Sequence, residues 1–175
     1  MDTLQPIRYI AVPHLSDGVL GANVLAETRV VPVKGPGDLA AALAIREVVF
    51  IEEAAISPDI ERDDQDETAY HVLALQNGHT IGTGRLVATQ EPPPQAAGTW
   101  GRIGRMAVLV KYRKGGVGRA ILQALEARAR LQQLSGIVLH AQVHAKGFYD
   151  RVGYAAFGEE FEEAGLPHVR MMKTL

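Results

Sequence analysis

The chain has 175 residues, of which 47% are hydrophobic and 22% are charged, and its formal net charge is −2. This length and composition are typical of one globular domain with a sizeable core. The small negative charge argues against nucleic acid or an anionic membrane as the main partner. The sequence contains no cysteine, which excludes disulfides and thiolate metal ligands and removes the commonest acyl-carrying nucleophile.

The first part of the chain is predicted to be an extension, residues 1–27, that precedes a single domain at residues 28–175. Residues 7–12 could form a short strand, and residues 16–18 have the composition of a turn. Two interpretations stay open: a tail, or an arm packed against a second copy of the chain in a homodimer. The sequence shows neither a secretion signal nor a run of about 20 apolar residues, so we expect a cytoplasmic protein.

The first half of the domain is predicted to contain a strand, a helix and a hairpin. Residues 28–33 form the strand, and a helix with Asp38 as its N-cap runs to about Glu53. Strands at 70–75 and 80–88 are joined by Asn77-Gly78, a strong signal for a tight hairpin turn. A proline-rich surface loop at 91–98 follows within the same domain.

The second half is predicted to alternate between strands and helices. A central strand at 103–110 precedes an amphipathic helix with an apolar stripe and a polar stripe. A strand at 137–143, a short helix at 144–152 and final strands at 154–157 and 169–173 complete the chain, with a loop at 158–167. This order predicts an α+β fold, antiparallel at first and locally parallel around the central strand.

An acidic segment lies between the first helix and the hairpin. Its spacing fails as a calcium-binding EF-hand, because Asp64 stands where glycine is required and Tyr70 stands at the twelfth position. Two interpretations remain: a solvated loop, or an acidic lip that attracts a cationic amine. The acidic residues are Asp59, Glu61, Asp63, Asp64, Asp66 and Glu67.

A glycine-rich stretch, Arg113-Lys114-Gly115-Gly116-Val117-Gly118-Arg119, joins the central strand to the amphipathic helix. Free N–H groups and the positive end of the helix dipole make such a junction an anion site. The glycines let a phosphate approach the main chain, and the three basic side chains add charge. No Lys-Ser or Lys-Thr pair completes a P-loop, and Ile121 stands where a dinucleotide fingerprint needs a third glycine.

The spacing that does fit is R-x-x-G-x-G, and it resembles the pyrophosphate loop [RQ]-x-x-G-x-[GA] of the GCN5-related N-acetyltransferases (GNAT). A second segment, from Gln142 to Tyr154, resembles the family motif N-x-x-A-x-x-[FY]-Y-x-x-x-G-[FY], with Gln142 in place of the usual asparagine. The chain ending at 158–171 is similar to the subgroup around ElaA and YjcF. The resemblance covers residues 28–175 and implies a mixed, mostly antiparallel sheet with flanking helices, splayed at the acetyl-CoA site.

The resemblance also implies a set of site residues, with acetyl-CoA as cosubstrate. Backbone groups of Met106, Ala107 and Val108 would pair with the pantetheine arm like an added strand. Arg113 and the backbone N–H groups through Arg119 would hold the pyrophosphate. Gln142 and Phe148 belong to the same motif and would line the cofactor site. Tyr149 would be the acid that protonates the leaving thiolate. The individual loop positions are Arg113, Lys114, Gly115, Gly116, Val117, Gly118 and Arg119.

The base that deprotonates the acceptor amine is left open among Glu53, His71, His140 and His168. No metal is expected, because Ala141 occupies the glutamate position that a zinc motif spanning His140 and His144 would need. We therefore expect direct transfer of acetyl to a primary amine of a small molecule or a protein. The alternatives are a CoA-binding regulatory module without catalysis and a nucleotide-binding protein that uses the same loop.

Overall fold

The computed structural model describes residues 27–89 and 91–175 of the chain. The strands in this part of the chain are β1 (Arg29–Pro32), β2 (Tyr70–Gln76), β3 (His79–Ala88), β4 (Trp100–Val108), β5 (Gly136–Gln142), β6 (Ala155–Glu163) and β7 (Leu166–Thr174). The α-helices are α1 (Pro36–Arg46), α2 (Pro58–Glu61), α3 (Val117–Leu131) and α4 (Lys146–Asp150). A π-helical turn, Glu47–Glu53, continues α1. The strand predicted at 7–12 and the turn at 16–18 lie outside the described residues.

The seven strands form one sheet in the order β1-β2-β3-β4-β5-β7-β6. Neighbouring strands are antiparallel except for β4 and β5, which are parallel. Helix α3 connects these two strands, as a crossover between parallel neighbours requires. The predicted α+β fold, mostly antiparallel with one locally parallel pair, is confirmed.

The two faces of the sheet carry different helices. On the α3 face, alternate residues of the strands, such as Ile137, Leu139 and Ala141, join the hydrophobic core with the apolar side of α3 and with α4. On the other face, α1 packs against β2, β3 and β4. In the described part of the chain, no helix is long and apolar enough to span a membrane.

Several predicted boundaries are confirmed, and two details of the helices are wrong. Asn77 and Gly78 both have positive φ, 51° and 78°, and form the predicted hairpin turn. Helix α1 begins at Pro36 with Gly35 as its N-cap, so the predicted cap, Asp38, lies inside the first turn. The predicted helix at 144–152 is shorter, because its first turn, Val143–Ala145, is a 3₁₀ turn.

The prediction for the chain end is also wrong, because most of the loop expected at 158–167 is strand. β6 and β7 form a hairpin that turns at Ala164 and Gly165, both with positive φ. The glutamates of β6 disfavour a strand in isolation. However, β6 is an edge strand, and Glu159, Glu160 and Glu162 are exposed to solvent there.

Neither interpretation of the acidic segment holds along its whole length. Glu61 and Asp66 are buried against arginines, and Asp63 is half-buried beside them. Arg46 is fully buried and donates to Glu61 at 2.5 Å and to Asp66 at 2.6 and 2.9 Å. Arg85 joins Asp66 to Asp63, with 2.6 Å from its Nη1 to each carboxylate. This cluster pins the segment after α1 to the face of β3.

The same cluster sets the ionisation of Asp66. Burial alone would raise the pKa of Asp66, but hydrogen bonds and charge from Arg46 and Arg85 lower it to about 2. His71, on the neighbouring strand β2, donates from Nε2 to the Asp66 carbonyl at 3.0 Å. Burial lowers the pKa of His71, so this imidazole is neutral and is part of the structural cluster.

Loss of the central arginine should destabilise the fold strongly. Arg46→Ala leaves buried carboxylates without their partner, and we expect the free energy of unfolding to fall by about 3–5 kcal/mol. Urea denaturation measures it. The matched control is Arg62→Ala, which removes a pair with Glu47 whose side chains are 53% and 50% exposed, and should cost about 0–1 kcal/mol. Equal losses in the two variants would contradict the structural role of Arg46.

The depressed pKa of Asp66 makes stability depend on pH. The carboxylate stabilises the folded state fully above its unfolded pKa of 3.8, and this contribution disappears as pH falls through about 2. Asp66→Asn should therefore be less stable than the wild type at pH 6, and the difference in the free energy of unfolding should disappear between pH 4 and pH 2. Denaturation curves at a series of pH values measure this difference. A difference that stays constant with pH would show that the arginines do not hold Asp66 in its charged form.

Candidate active site

The sheet opens between its two parallel strands. β4 and β5 pair only over their first halves, and beyond Arg102 and Val138 they separate. The paired positions are Trp100 with Gly136, Gly101 with Ile137, and Arg102 with Val138. The N–H of Leu109 donates to the Ile81 carbonyl on β3. Because successive residues of a strand direct their N–H and C=O groups to opposite edges, those of Val108 point away from β3, into the gap. The splayed site predicted from the resemblance is confirmed.

An irregularity in β4 lies where the strands separate. Arg105 has φ of 52°, and the register between β3 and β4 shifts between Thr83 and Arg85. Such a bulge bends the strand and increases its twist. Arg105 donates to Asp63 at 3.1 Å and to the Ile60 carbonyl at 3.2 Å, so the arginine network reaches the bulge. The bulge and the network together direct the second half of β4 away from β5.

The glycine loop lies at the open end of the gap. Lys114 and Gly116 have φ of 65° and 83°, and Gly116 is the residue before α3. The first hydrogen bond of α3 runs from Ala120 to the Gly116 carbonyl, so the N–H groups of Val117, Gly118 and Arg119 have no partner within the helix. These three donors and the helix dipole suit an anion, and the binding of a pyrophosphate there stays a prediction.

The side chains of the loop occupy two different environments. Val117 is buried in the core and anchors the first turn of α3, whereas Lys114 and Arg119 are exposed beside the free N–H groups. A Cβ at Gly116 would meet nothing within 4 Å, and one at Gly118 would lie 3.7 Å from the Phe148 ring. The backbone of the loop is therefore accessible to a phosphate group, which fits the pyrophosphate of acetyl-CoA.

Arg113 is held at the edge of the loop. Its Nε donates to the Val108 carbonyl at 2.8 Å, and its Nη1 and Nη2 donate to Glu53 at 2.5 and 2.7 Å. The hydrogen bond from Arg113 lowers the pKa of Glu53, so this carboxylate is charged and engaged. The arginine thus bridges the end of β4 and the π-helical turn, and its role as a pyrophosphate ligand stays a prediction.

The second motif packs directly on the first. Phe148 contacts the start of α3 near Gly118, and its ring stands at 73° to that of Tyr149, with 4.9 Å between centroids. Tyr149 is 8% exposed and lies on the α3 face of the sheet. Burial raises the pKa of Tyr149 to about 12, so its hydroxyl is protonated at neutral pH. Gln142 ends β5 opposite His168 on β7.

A polar cluster lies on the other face of β5. The Nδ1 atom of His140 is 2.9 Å from Glu163 Oε2 and 3.0 Å from Arg102 Nη2. Arg102 Nη2 also donates to Glu163 Oε1 at 3.1 Å. The hydrogen bond from His140, helped by the charge of Arg102, lowers the pKa of Glu163 to about 2. Phe161 lies against the His140 ring with 4.9 Å between centroids.

The structure separates the four residues that the sequence offered as bases. Glu53 is paired with Arg113, and His71 is buried in the arginine cluster. His168 donates from Nδ1 to the Leu166 carbonyl at 2.8 Å. Among these candidates, only His140 bonds to a carboxylate at the point where β4 and β5 separate. Arg102 and Glu163, its partners, were missed because they lie 38 and 23 residues away in sequence.

The comparisons with known proteins agree with this geometry. The family model for the acetyltransferase (GNAT) domain matches residues 43–175. The chain belongs to the GNAT acetyltransferase family. It is 37% identical over 141 residues to the uncharacterized protein YyaT of Bacillus subtilis, covering 79% of this chain and 90% of YyaT. It is 33% identical over 146 residues to the uncharacterized N-acetyltransferase YjcF of the same organism, covering 83% and 99%.

A solved structure shares the fold over almost its whole length. The crystal structure of Escherichia coli ElaA aligns with a TM-score of 0.69 and 25% identity, covering 85% of this chain and 99% of ElaA. The resemblance to the subgroup around ElaA and YjcF is therefore confirmed. Among residues 27–89 and 91–175, no group of three His, Cys, Asp or Glu side chains is arranged to hold a metal.

A methyl group in the glycine loop should weaken binding of the cosubstrate without harming the fold. Gly118→Ala places its Cβ 3.7 Å from Phe148, an ordinary contact, but narrows the approach to the free N–H groups. We expect the Kd for acetyl-CoA to rise about tenfold or more in calorimetric titration, because each charge-assisted hydrogen bond lost costs about 1.5 kcal/mol or more.

The matched control is Gly37→Ala, in the first turn of α1, where a Cβ would meet nothing within 4 Å. Its affinity for acetyl-CoA should equal that of the wild type. If Gly118→Ala binds acetyl-CoA as tightly as this control does, the pyrophosphate does not lie against the start of α3.

Proposed function

We infer that this GNAT-family protein is an acetyl-CoA-dependent N-acetyltransferase that passes the acetyl group directly to a primary amine of a small molecule or a protein. The observation that carries the proposal is the gap between β4 and β5, with the free N–H groups at the start of α3 at its open end. An extended thiol arm fits the gap, and a pyrophosphate fits the helix terminus.

The backbone of β4 offers the arm a strand-like partner. The Val108 N–H and carbonyl face the gap, although the carbonyl already accepts from Arg113. Met106 lies two residues earlier on the same strand and so directs its peptide groups to the same side, while Ala107 pairs with Thr83 of β3. Acetyl-CoA supplies the activated acetyl thioester, and the chain supplies its placement.

Direct transfer is supported by the composition of the chain and by Tyr149. No cysteine is available to carry the acetyl group between two half-reactions. The Tyr149 hydroxyl stays protonated at neutral pH, because its pKa is about 12, and it can donate a proton to a departing thiolate. Tyr149 is on the same face of the sheet as α3, which is the side where the cosubstrate would bind.

The test combines binding and turnover. Calorimetric titration should show saturable binding of acetyl-CoA and none of ATP or NAD, and a panel of primary amines should release free CoA thiol. Tyr149→Phe should lower kcat about 100-fold or more, because general acid catalysis contributes about 10²- to 10⁴-fold, and should leave acetyl-CoA affinity unchanged. Tyr70→Phe is the matched control, since the Tyr70 ring packs on Arg128 of α3.

Each outcome separates one interpretation from the others. Absence of acetyl-CoA binding would overturn the proposal, and tighter binding of ATP or NAD would favour the nucleotide-binding alternative. Acetyl-CoA binding without turnover on any amine would favour a regulatory module. Turnover that is equal in Tyr149→Phe and in the control would remove Tyr149 from the role of acid.

A further inference from the structure

The cluster of His140, Glu163 and Arg102 stands at the apex of the gap. Arg102 is the last residue of β4 that pairs with β5, and His140 lies two residues beyond its partner, Val138. His140 is thus at the second position of β5 beyond the last pair with β4. It is on the face opposite to Tyr149, because its neighbour Ala141 belongs to the core on the α3 face.

The contacts of the cluster favour one tautomer of His140. Glu163 is ionised and can only accept, which favours a hydrogen on the nitrogen at 2.9 Å from it, Nδ1, whereas Arg102 Nη2, 3.0 Å from the same nitrogen, could donate to it only in the other tautomer. Arg102 then directs its donor to the other oxygen of Glu163 at 3.1 Å. The second ring nitrogen, Nε2, is left with a lone pair. His140 retains 10% exposure of its side chain.

We propose that His140 is the general base of this enzyme, accepting through Nε2 the proton of the acceptor's ammonium group, with Glu163 and Arg102 as positioning residues. The proposal rests on the proposed N-acetyltransferase function and names the residue that activates its amine. The arrangement of a carboxylate, an imidazole and a substrate proton follows the logic of a carboxylate–histidine pair, in which the carboxylate orients the ring and stabilises the imidazolium.

Each proton of the transfer passes between a named donor and a named acceptor. An alkyl ammonium with pKa near 10.4 loses one proton to His140 Nε2 and becomes a neutral amine. The amine nitrogen forms a bond to the acetyl carbonyl carbon, and the bond from that carbon to sulfur breaks. The departing sulfur takes a proton from Tyr149, which regains one from solvent. His140 releases the first proton to solvent, takes the second proton of the nitrogen and releases it in the same way, so that one proton is set free per transfer.

The charged groups around His140 come from three strands. Arg102 is on β4, Glu163 is on β6, and His168 and Arg170 are on β7. Arg170 is the cross-strand partner of His140 and stacks on Phe161, with 4.4 Å from its guanidinium carbon to the ring centroid. His168 also lies near this ring, with 5.9 Å between centroids. An imidazolium at His140 is therefore balanced chiefly by Glu163.

The experiment compares pH profiles of kcat/KM for the wild type, His140→Gln and Glu163→Gln with the best amine found. In the wild type, kcat/KM should rise with pH to a plateau. In His140→Gln it should fall about 100-fold at pH 7 and keep rising towards the pKa of the amine itself. Glu163→Gln should fall about tenfold. His79→Gln, on the hairpin between β2 and β3, is the matched control.

Two readouts do not depend on turnover. Nitrogen-15 NMR of the imidazoles should show neutral His140 protonated at Nδ1 in the wild type, with this preference weakened in Glu163→Gln. Calorimetry should show an acetyl-CoA Kd within about twofold of the wild type in both variants, since neither residue faces the α3 side. Thermal melting checks that the variants fold.

The outcomes distinguish the two levels of the argument. No turnover by the wild type with any amine defeats the proposed function itself. Wild-type turnover with an unchanged pH profile in His140→Gln overturns the role of His140, as does a neutral His140 protonated at Nε2. A profile that shifts in His168→Gln and not in His140→Gln also overturns it and assigns the base to His168.

Discussion

The site depends on one constraint, that β4 and β5 stop pairing after three positions. Each strand remains bonded on its other edge, β4 to β3 and β5 to β7, so neither can follow the other. The positive φ of Arg105 adds the bend that a regular strand would lack. Unpaired peptide groups in the interior of a sheet are costly unless water or a ligand meets them. The gap is therefore a place where the fold itself leaves donors and acceptors for an extended partner.

The buried arginines explain how this gap is kept open on the α1 side. Arg46 and Arg85 hold the acidic segment against β3, and Arg105 connects the same carboxylates to the bulge of β4. Arg113 ties the π-helical turn after α1 to the end of β4 through Glu53. Removing Arg46 takes the hydrogen-bonding side chain away from the buried Glu61, which costs more than the pair contributes net. The network forms one side of the site. Its carboxylates are paired with its arginines, so these charges are not available to attract a substrate.

Local patterns in the sequence predicted those parts of the fold whose cause is local. Asn77-Gly78 requires positive φ at two consecutive residues, and the glycine loop requires a helix start with free N–H groups, so both could be read from a few residues. Two other features could not be read in this way. Glu163 disfavours a strand by itself, and it is ordered in one because Leu166 of β7 pairs with it. Glu126 falls on the polar stripe of α3, yet it is buried, because Lys173 reaches it from β7 at 2.9 Å.

The alternation of β5 gives the proposed reaction a separate acid and base. Ala141 faces the core that holds Tyr149, whereas His140 faces the cluster with Glu163, so the two proton-transfer groups lie on opposite sides of one strand. If they touched, the imidazole would hydrogen-bond to the phenol and neither would be free for substrate. Burial keeps the tyrosine protonated, as an acid needs, and the Glu163 carboxylate orients the imidazole through Nδ1. An amine approaching from the Glu163 side and a thiol leaving on the α3 side would then exchange protons with different residues.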